Sequence, residues 1–439
     1  FTELHIGIYY RPVADLAFFL QQKAFDDYAP GWHATSVALH AAVVLALAAA
    51  VLALTRRPIA AFLAAGLFAL TPTYTGSVAW VANQTELLAA LFASVALALF
   101  VTAVRGQPRP LLLAGGAAAY ALACGAKEVG ATVLVPMAAY LALRSWERGL
   151  RPGRSAWRDV AAAAAPLLPF LVVVGLWAGA QLYLFLVVRP PLMPFYHAGP
   201  HMLETLRYEA LRLILPVNSG LMGIGALDDP TFGTNSLLGY LAQAAVLGIC
   251  LAALIRGPAG ARALALWLAV AMVPISLWEP GFANARYLYT PALAFCGLMA
   301  AGALPLAERL FRRPGTAALA AAGLLALLAV PYGAGTVHQN RRVTQEGRQE
   351  TAFLRQLEAL DPAVPPGTTI YLVDTPWNGL FSPAEPMAQM RYGPSVRVVK
   401  IGEADVAEAR RGATGPTLFL GMRDGRLAVL PAESSPAAR

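Results

Sequence analysis

Charge is what this sequence has least of. Asp, Glu, Lys and Arg make up 13% of its 439 residues, against 58% hydrophobic, where a soluble chain usually carries roughly 25% charge. That shortage excludes an ordinary soluble fold, because too little polar sequence is available to cover the apolar runs. Cysteine is scarce too. The three present, Cys124, Cys250 and Cys296, all lie inside apolar runs, so no disulfide framework is implied and they read as small packing residues. No charged segment followed by a short apolar one opens the chain, so no signal peptide is recognisable. The C-terminal part lacks a phosphate-binding glycine fingerprint and a cluster of metal ligands, and no nucleic-acid partner is expected.

What is present is long apolar sequence. Val37–Leu54, Leu87–Val104 and Leu237–Ile255 hold no Asp, Glu, Lys or Arg, and about 20 apolar residues suffice for a helix to cross the hydrocarbon of a bilayer. The pattern predicts about ten spans: His33–Thr55, Pro58–Leu70, Glu86–Val104, Leu111–Ala126, Gly130–Leu143, Val160–Val188, Leu237–Ile255, Ala263–Leu277, Tyr287–Pro305 and Thr316–Tyr332. Residues 1–32 read as an aromatic interfacial segment and 189–236 as a large loop. Residues 333–439 read as a small soluble α/β domain, with a helix whose Phe353, Leu354, Leu357 and Leu360 form one stripe. Strands are predicted over Thr369–Val373, Val396–Ile401, Thr417–Leu420 and Leu427–Leu430.

The net charge of +8 matters less than where it falls. Alternate loops hold Arg56, Arg57, Arg105, Arg109, Arg144, Arg148, Arg151, Arg154, Arg158, Arg256, Arg262, Arg309, Arg312 and Arg313. The opposite loops hold only Lys127, Arg189, Arg207, Arg212 and Arg286. Basic loops stay in the cytoplasm, so residues 1–32, the 189–236 loop and everything after Tyr332 are expected outside it, at what is read as a bacterial inner membrane. An N-terminus outside, without a signal peptide, leads to the expectation that at least one further span precedes Phe1.

Polar groups at membrane depth are expensive and often functional, and here they gather on the outer side. Glu86 opens one span, Lys127-Glu128 form a corner, Asp228-Asp229 lie in the large loop, and Glu279, Asn284 and Arg286 precede another span. Arg11, Asp15, Asp26 and Asp27 lie in the N-terminal segment. Each also has a plain reading. Lys127-Glu128 could only terminate two helices, Arg286 could be an interfacial anchor beside Tyr287 and Tyr289, and the Asp pairs could be solvated turns. Met202–Leu215 places Leu203, Leu206, Ala210 and Leu213 on one face and Glu204, Arg207 and Arg212 on another, the pattern of a helix lying at the interface with its arginines toward headgroups.

Several local runs then converge on a known pattern: Tyr10-Arg11-Pro12 with His33 and His40, Thr71 to Ala79 leading into Glu86 to Phe92, Cys124 to Val133 with its Lys127-Glu128 corner, and Arg286-Tyr287-Leu288-Tyr289-Thr290-Pro291. In this order they resemble the GT-C-type superfamily of membrane glycosyltransferases, and within it the transmembrane and tetratricopeptide-repeat-containing O-mannosyltransferases and their bacterial relatives. The resemblance spans roughly residues 9–305. It implies an all-α polytopic GT-C-like fold here joined to the α/β domain, and transfer of a sugar from a polyprenyl-phosphate donor to an acceptor on the extracytoplasmic face. It implies an interfacial cationic pocket for the donor phosphate, for which Arg11, Lys127, Arg207, Arg286 and Tyr289 are the candidates. It also implies a carboxylate base, for which Glu86, Glu128 and Asp27 are the candidates. A divalent metal is left open, no other cofactor is implied, and the partners are the lipid-linked donor, membrane lipids and a protein docking through the C-terminal domain.

The chain also departs from that pattern. Relatives carry His-Pro-x-His-Thr-Glu where this sequence has Thr71-Pro72-Thr73-Tyr74-Thr75-Gly76, the expected early acidic motif would lie ahead of Phe1, and no tetratricopeptide repeats follow. A non-catalytic membrane subunit on a degenerate GT-C scaffold is therefore the alternative. A transporter is a third reading, disfavoured because the charges sit at span ends rather than near the midplane.

Overall fold

The computed structural model describes residues 10–26, 28–72, 75–106, 109–149, 157–187, 195–214, 236–280, 285–311, 313–360, 364–375, 384–423 and 426–430. The chain divides into two compact units, Phe1–Asn340 and Arg341–Arg439.

The first unit is helical throughout. A short helix α1 (Pro12–Phe25) precedes α2 (Ala29–Thr55) and α3 (Pro58–Leu70). A one-turn helix α4 (Thr75–Ala79) leads to α5 (Gln84–Val104) and α6 (Pro110–Ala126). Then come α7 (Leu134–Glu147), α8 (Trp157–Ala164), α9 (Leu168–Val187) and α10 (His201–Ile214). The unit closes with α11 (Leu237–Arg256), α12 (Ala259–Ser276), α13 (Tyr289–Leu310) and α14 (Pro314–Leu360), the last of which runs on into the second unit. Prolines sit in the first turn of α1, α2, α3 and α6, where the missing N–H has no intrahelical partner to lose and the fixed φ suits a helix start. Arg56 takes a left-handed conformation (φ 60°), which turns the chain sharply between α2 and α3.

Among the described residues, eight helical stretches are long and apolar enough to cross a membrane, and α3 and α6 are shorter apolar helices. These ten correspond one for one to the spans read from the sequence, so the chain is an all-α polytopic membrane protein with a small C-terminal α/β domain. α5 and α13 are mostly buried, whereas few residues of α9 and α11 are. The exposed residues of these and other spans are apolar, such as Phe62, Leu111, Leu176 and Leu247, as lipid contact requires. The shared core packs Leu47, Leu87, Phe100, Trp267, Tyr289 and Phe295.

One helix corrects its sequence reading. In α10 both arginines turn inward rather than toward headgroups: Arg207 is 5%, Glu209 0% and Arg212 6% exposed, while Leu203 is 52% exposed and Glu204 is half-buried. Periodicity locates a polar stripe but does not say whether water or a polar protein interior receives it. Here α10 is held inward by Thr205, which donates to the Trp278 carbonyl at 2.8 Å, and by Tyr332 of α14, which donates to the Leu213 carbonyl.

The second unit holds strands β1 (Thr369–Val373), β2 (Arg397–Ile401), β3 (Thr417–Arg423) and β4 (Arg426–Val429), in the order β2-β1-β3-β4. β1 is central and parallel to both neighbours, with Thr369 opposite Arg397 and Thr417. Parallel pairs need crossovers, supplied by α15 (Ala384–Tyr392) and α16 (Val406–Gly412); β3 and β4 form a hairpin. One face of the sheet, with Ile370, Leu372 and Leu420, packs on Phe353 and Leu357 of α14 and on Ala384 and Ala388 of α15. On the other face Tyr371 stacks on Phe419, ring centroids 4.5 Å apart, and the Arg410 guanidinium of α16 lies 4.7 Å from the Phe419 ring.

Candidate functional site

The corner after α6 organises the polar groups of the first unit. Lys127 is extended (φ −163°, ψ 151°), and a 3-10 turn over Glu128–Val133 follows it. An extended residue sends successive side chains in different directions, so Lys127 and Glu128 reach separate partners. The corner is tight. A Cβ at Gly130 would lie 2.4 Å from the Ala123 carbonyl oxygen, so only glycine lets the turn fold back this closely on α6.

Lys127 turns to Glu86, with Nζ 2.6 Å from Oε2; the side chains are 13% and 2% exposed. Thr290, in the first turn of α13, donates to the other carboxylate oxygen of Glu86 at 2.7 Å. Both oxygens of this buried carboxylate are therefore engaged, as a buried charge needs. Glu128 turns instead to Arg11, which donates through Nε to Oε1 at 3.0 Å and through Nη2 to Oε2 at 2.8 Å. This is the planar two-bond pairing that suits guanidinium and carboxylate, and it is partly open to solvent. Burial pushes the nearby Asp15 carboxyl above the usual range, and the Arg11 charge pulls the other way.

Aromatic rings complete the cluster. Arg286 lies with its guanidinium carbon 4.2 Å from the Trp80 ring and 5.1 Å from that of Tyr287, and donates to the Tyr287 hydroxyl at 3.3 Å. Lys127 Nζ lies 5.4 Å from the same Tyr287 ring. Tyr287 also stacks on Trp278, 5.5 Å between centroids and 11° between planes. Ser77 of α4 donates to the Arg286 carbonyl at 3.2 Å, which ties the 71–86 segment to the start of α13. Beside this lies a buried amide network, in which Gln84 donates to the Ser36 hydroxyl and the Trp32 carbonyl and accepts from Gln21.

The structure thus brings together Arg11, Lys127, Glu86, Glu128 and Arg286. It places two other candidates apart. Tyr289 is fully buried among the spans, its hydroxyl 2.8 Å from His40 Nδ1 and its ring edge-on to Phe68. Arg207 lies over the Tyr240 ring at 4.3 Å, within the buried α10 group in which Arg212 donates to Glu209 at 2.9 Å. Burial raises the Glu209 carboxyl, and Arg212 opposes that shift. Asp27, Asp228, Asp229 and Asn284 lie outside the described residues. Among the described residues no group of three or more His, Cys, Asp and Glu is placed to hold a metal ion. Thr290, Trp80, Trp278 and Gln84 join the site unannounced. Thr290 lies inside a run already quoted, but nothing in the sequence marks it as the partner of a distant charge.

Fold and site together define a polytopic helical membrane protein with a cation–aromatic cluster at the ends of several spans. No protein-family model matches the chain, and no curated protein matches it. Among solved structures, the chain is similar to ArnT from Cupriavidus metallidurans in its crystal structure bound to undecaprenyl phosphate. The TM-score is 0.46 and the identity 14%, over 93% of this chain and 85% of that one.

Proposed function

We propose that this protein is a glycosyltransferase of the extracytoplasmic face, moving a sugar from a polyprenyl-phosphate donor to an acceptor hydroxyl. The observation that carries the reading is the convergence of Arg11, Lys127 and Arg286 with Trp80 and Tyr287 at span ends. A lipid-borne phosphate arrives at that depth, and guanidinium groups pair with it by parallel N–H bonds. The aromatic rings hold the cations in place and offer flat surfaces at the headgroup level.

Of the carboxylates, Glu128 is the better base. Glu86 is closed off by Lys127 and Thr290, whereas Glu128 is 32% exposed. A donor phosphate that draws Arg11 toward itself would free the Glu128 oxygens that Arg11 now occupies to receive the acceptor hydroxyl, coupling donor binding to proton removal.

The test is turnover of the purified protein in lipid with short-chain polyprenyl-phosphate sugars and a panel of acceptors, comparing wild type with Glu128→Gln and Arg286→Ala. Transfer by the wild type, lost in both variants while donor binding survives in Glu128→Gln, supports the reading. Donor binding that is unchanged in Arg286→Ala would overturn the phosphate assignment. The second reading, a non-catalytic subunit, is favoured by one observation: both candidate carboxylates in the described residues already carry a cationic partner. It predicts no turnover with any donor and co-purification with a partner complex.

A further inference from the structure

The second unit carries a feature that the transfer reading does not use. From Arg341 onward, α14 repeats one spacing: Arg341, Thr344, Arg348, Thr351, Arg355. Seven residues fall about 20° short of two full turns, so the three arginines share one face. With a rise of 1.5 Å per residue they stand about 10.5 Å apart, over about 21 Å of axis. All three are exposed. Among the described residues none of the three is in an ion pair. Phe353 and Leu357, on the opposite side of the helix, are buried in the core. Among the described residues, Thr344, Gly347, Arg348, Thr351, Ala352, Arg355 and Gln356 line an open, shallow groove of about 680 Å³ along this side of the helix.

We propose that this groove binds an extended anionic glycan, a sugar chain bearing carboxylates at intervals. Three guanidinium groups in a line about 21 Å long match a row of charges, not a single one. Each can take a carboxylate by two parallel bonds, and the intervening threonine hydroxyls can donate to or accept from sugar hydroxyls. Among the described residues its lining offers no Trp, Tyr, Phe or Leu to serve as a buried anchor, which favours a hydrophilic chain over a folded protein, and no aromatic platform of the kind on which single-stranded nucleic acid stacks. The inference stands on the stripe alone and does not depend on whether the first unit transfers sugars.

The test uses the full chain in detergent at 0.15 M salt, with oligogalacturonate long enough to span about 21 Å as the probe. Binding is expected for the wild type and weakened at least tenfold in R348E/R355E. Arg342→Gln, about 100° round the helix from Arg341, is expected to bind as the wild type does. Melting temperatures of all variants are measured alongside; if charge reversal lowers stability, R348Q/R355Q is read in its place. Equal affinity in the wild type and the double variant overturns the proposal. So does equal binding of monomeric galacturonate, which would need no stripe. Tighter binding of poly-glutamate would point to an acidic protein partner, and displacement of the glycan by phosphatidylglycerol vesicles to lipid headgroups; either result overturns the glycan assignment.

Discussion

Lys127 and Glu86 form a closed pair, Nζ to Oε2 at 2.6 Å, with Thr290 on the carboxylate's second oxygen. This joins the end of α6 to the starts of α5 and α13. It also means that Lys127 cannot be removed without leaving a buried negative charge behind.

Each half of that pair is therefore expected to fail alone. Lys127→Met and Glu86→Gln should each destabilise the protein, Lys127→Met by about 3–5 kcal/mol because it strands the charge, and the double variant should recover most of the loss. Thermal melts in detergent check this. A double variant that is stable but inactive assigns Lys127 a part in the reaction; one that is stable and active assigns the pair to architecture. The sequence alone leads one to expect that Lys127→Ala abolishes transfer without unfolding the protein, and the pair shows why that single variant cannot be read by itself.

Arg286 lies over Trp80 and Tyr287, and such contacts contribute roughly 0.5–2 kcal/mol. Trp80 is half-exposed, so Trp80→Ala should leave the melting temperature nearly unchanged and weaken polyprenyl-phosphate binding severalfold. Arg286→Lys, which keeps charge but loses the planar fork, should weaken it further. Titration with a short-chain polyprenyl phosphate measures both, and undiminished affinity in the two variants would remove Arg286 from the site.

Glu209 gives a pH dependence with a definite sign. Its carboxyl is raised above the ordinary value of 4.5, by burial and against the pull of Arg212. The folded state therefore holds this proton more tightly than the unfolded chain. The resulting stability is full below 4.5 and is lost as pH rises through the raised value. Glu209→Gln removes that contribution, so its melting temperature should depend less on pH than the wild type's across this window. Melts at closely spaced pH values check it, and parallel curves would show that Glu209 does not titrate as its burial implies.

Tyr289 was a candidate for the donor phosphate, yet its hydroxyl meets His40 inside the span region. Tyr289→Phe should cost about 0.5–1.5 kcal/mol, the loss of one hydrogen bond, with donor affinity unchanged. A variant of wild-type stability that binds donor poorly would return Tyr289 to the phosphate site.

Much of this architecture is legible from local pattern. Apolar runs and prolines locate the spans, and Pro58–Leu70 falls where the sequence puts it. β-branched runs locate the strands, with Thr369–Val373 likewise unchanged. The partners are not legible, because they are distant in the chain. Glu128 meets Arg11 across 117 positions, and no periodicity links them. The inward turn of Arg207 and Arg212 is hidden for a related reason: a polar stripe has the same spacing whether it faces water or a polar interior. α15 and α16 are short and flanked by turn residues, so their signal falls below that of the strands they connect.

The Lys127–Glu86 pair also bears on biogenesis. Glu86 leaves the ribosome 41 residues before Lys127, so a first helix entering the bilayer by itself would carry its carboxylate without a counter-ion. Lateral release of α5 alone is costly for that reason, and the geometry favours entry of α5 and α6 as one hairpin, with neutralisation completed only when the second helix arrives. The order of synthesis thus gives the translocation machinery a reason to hold one helix until its neighbour is made.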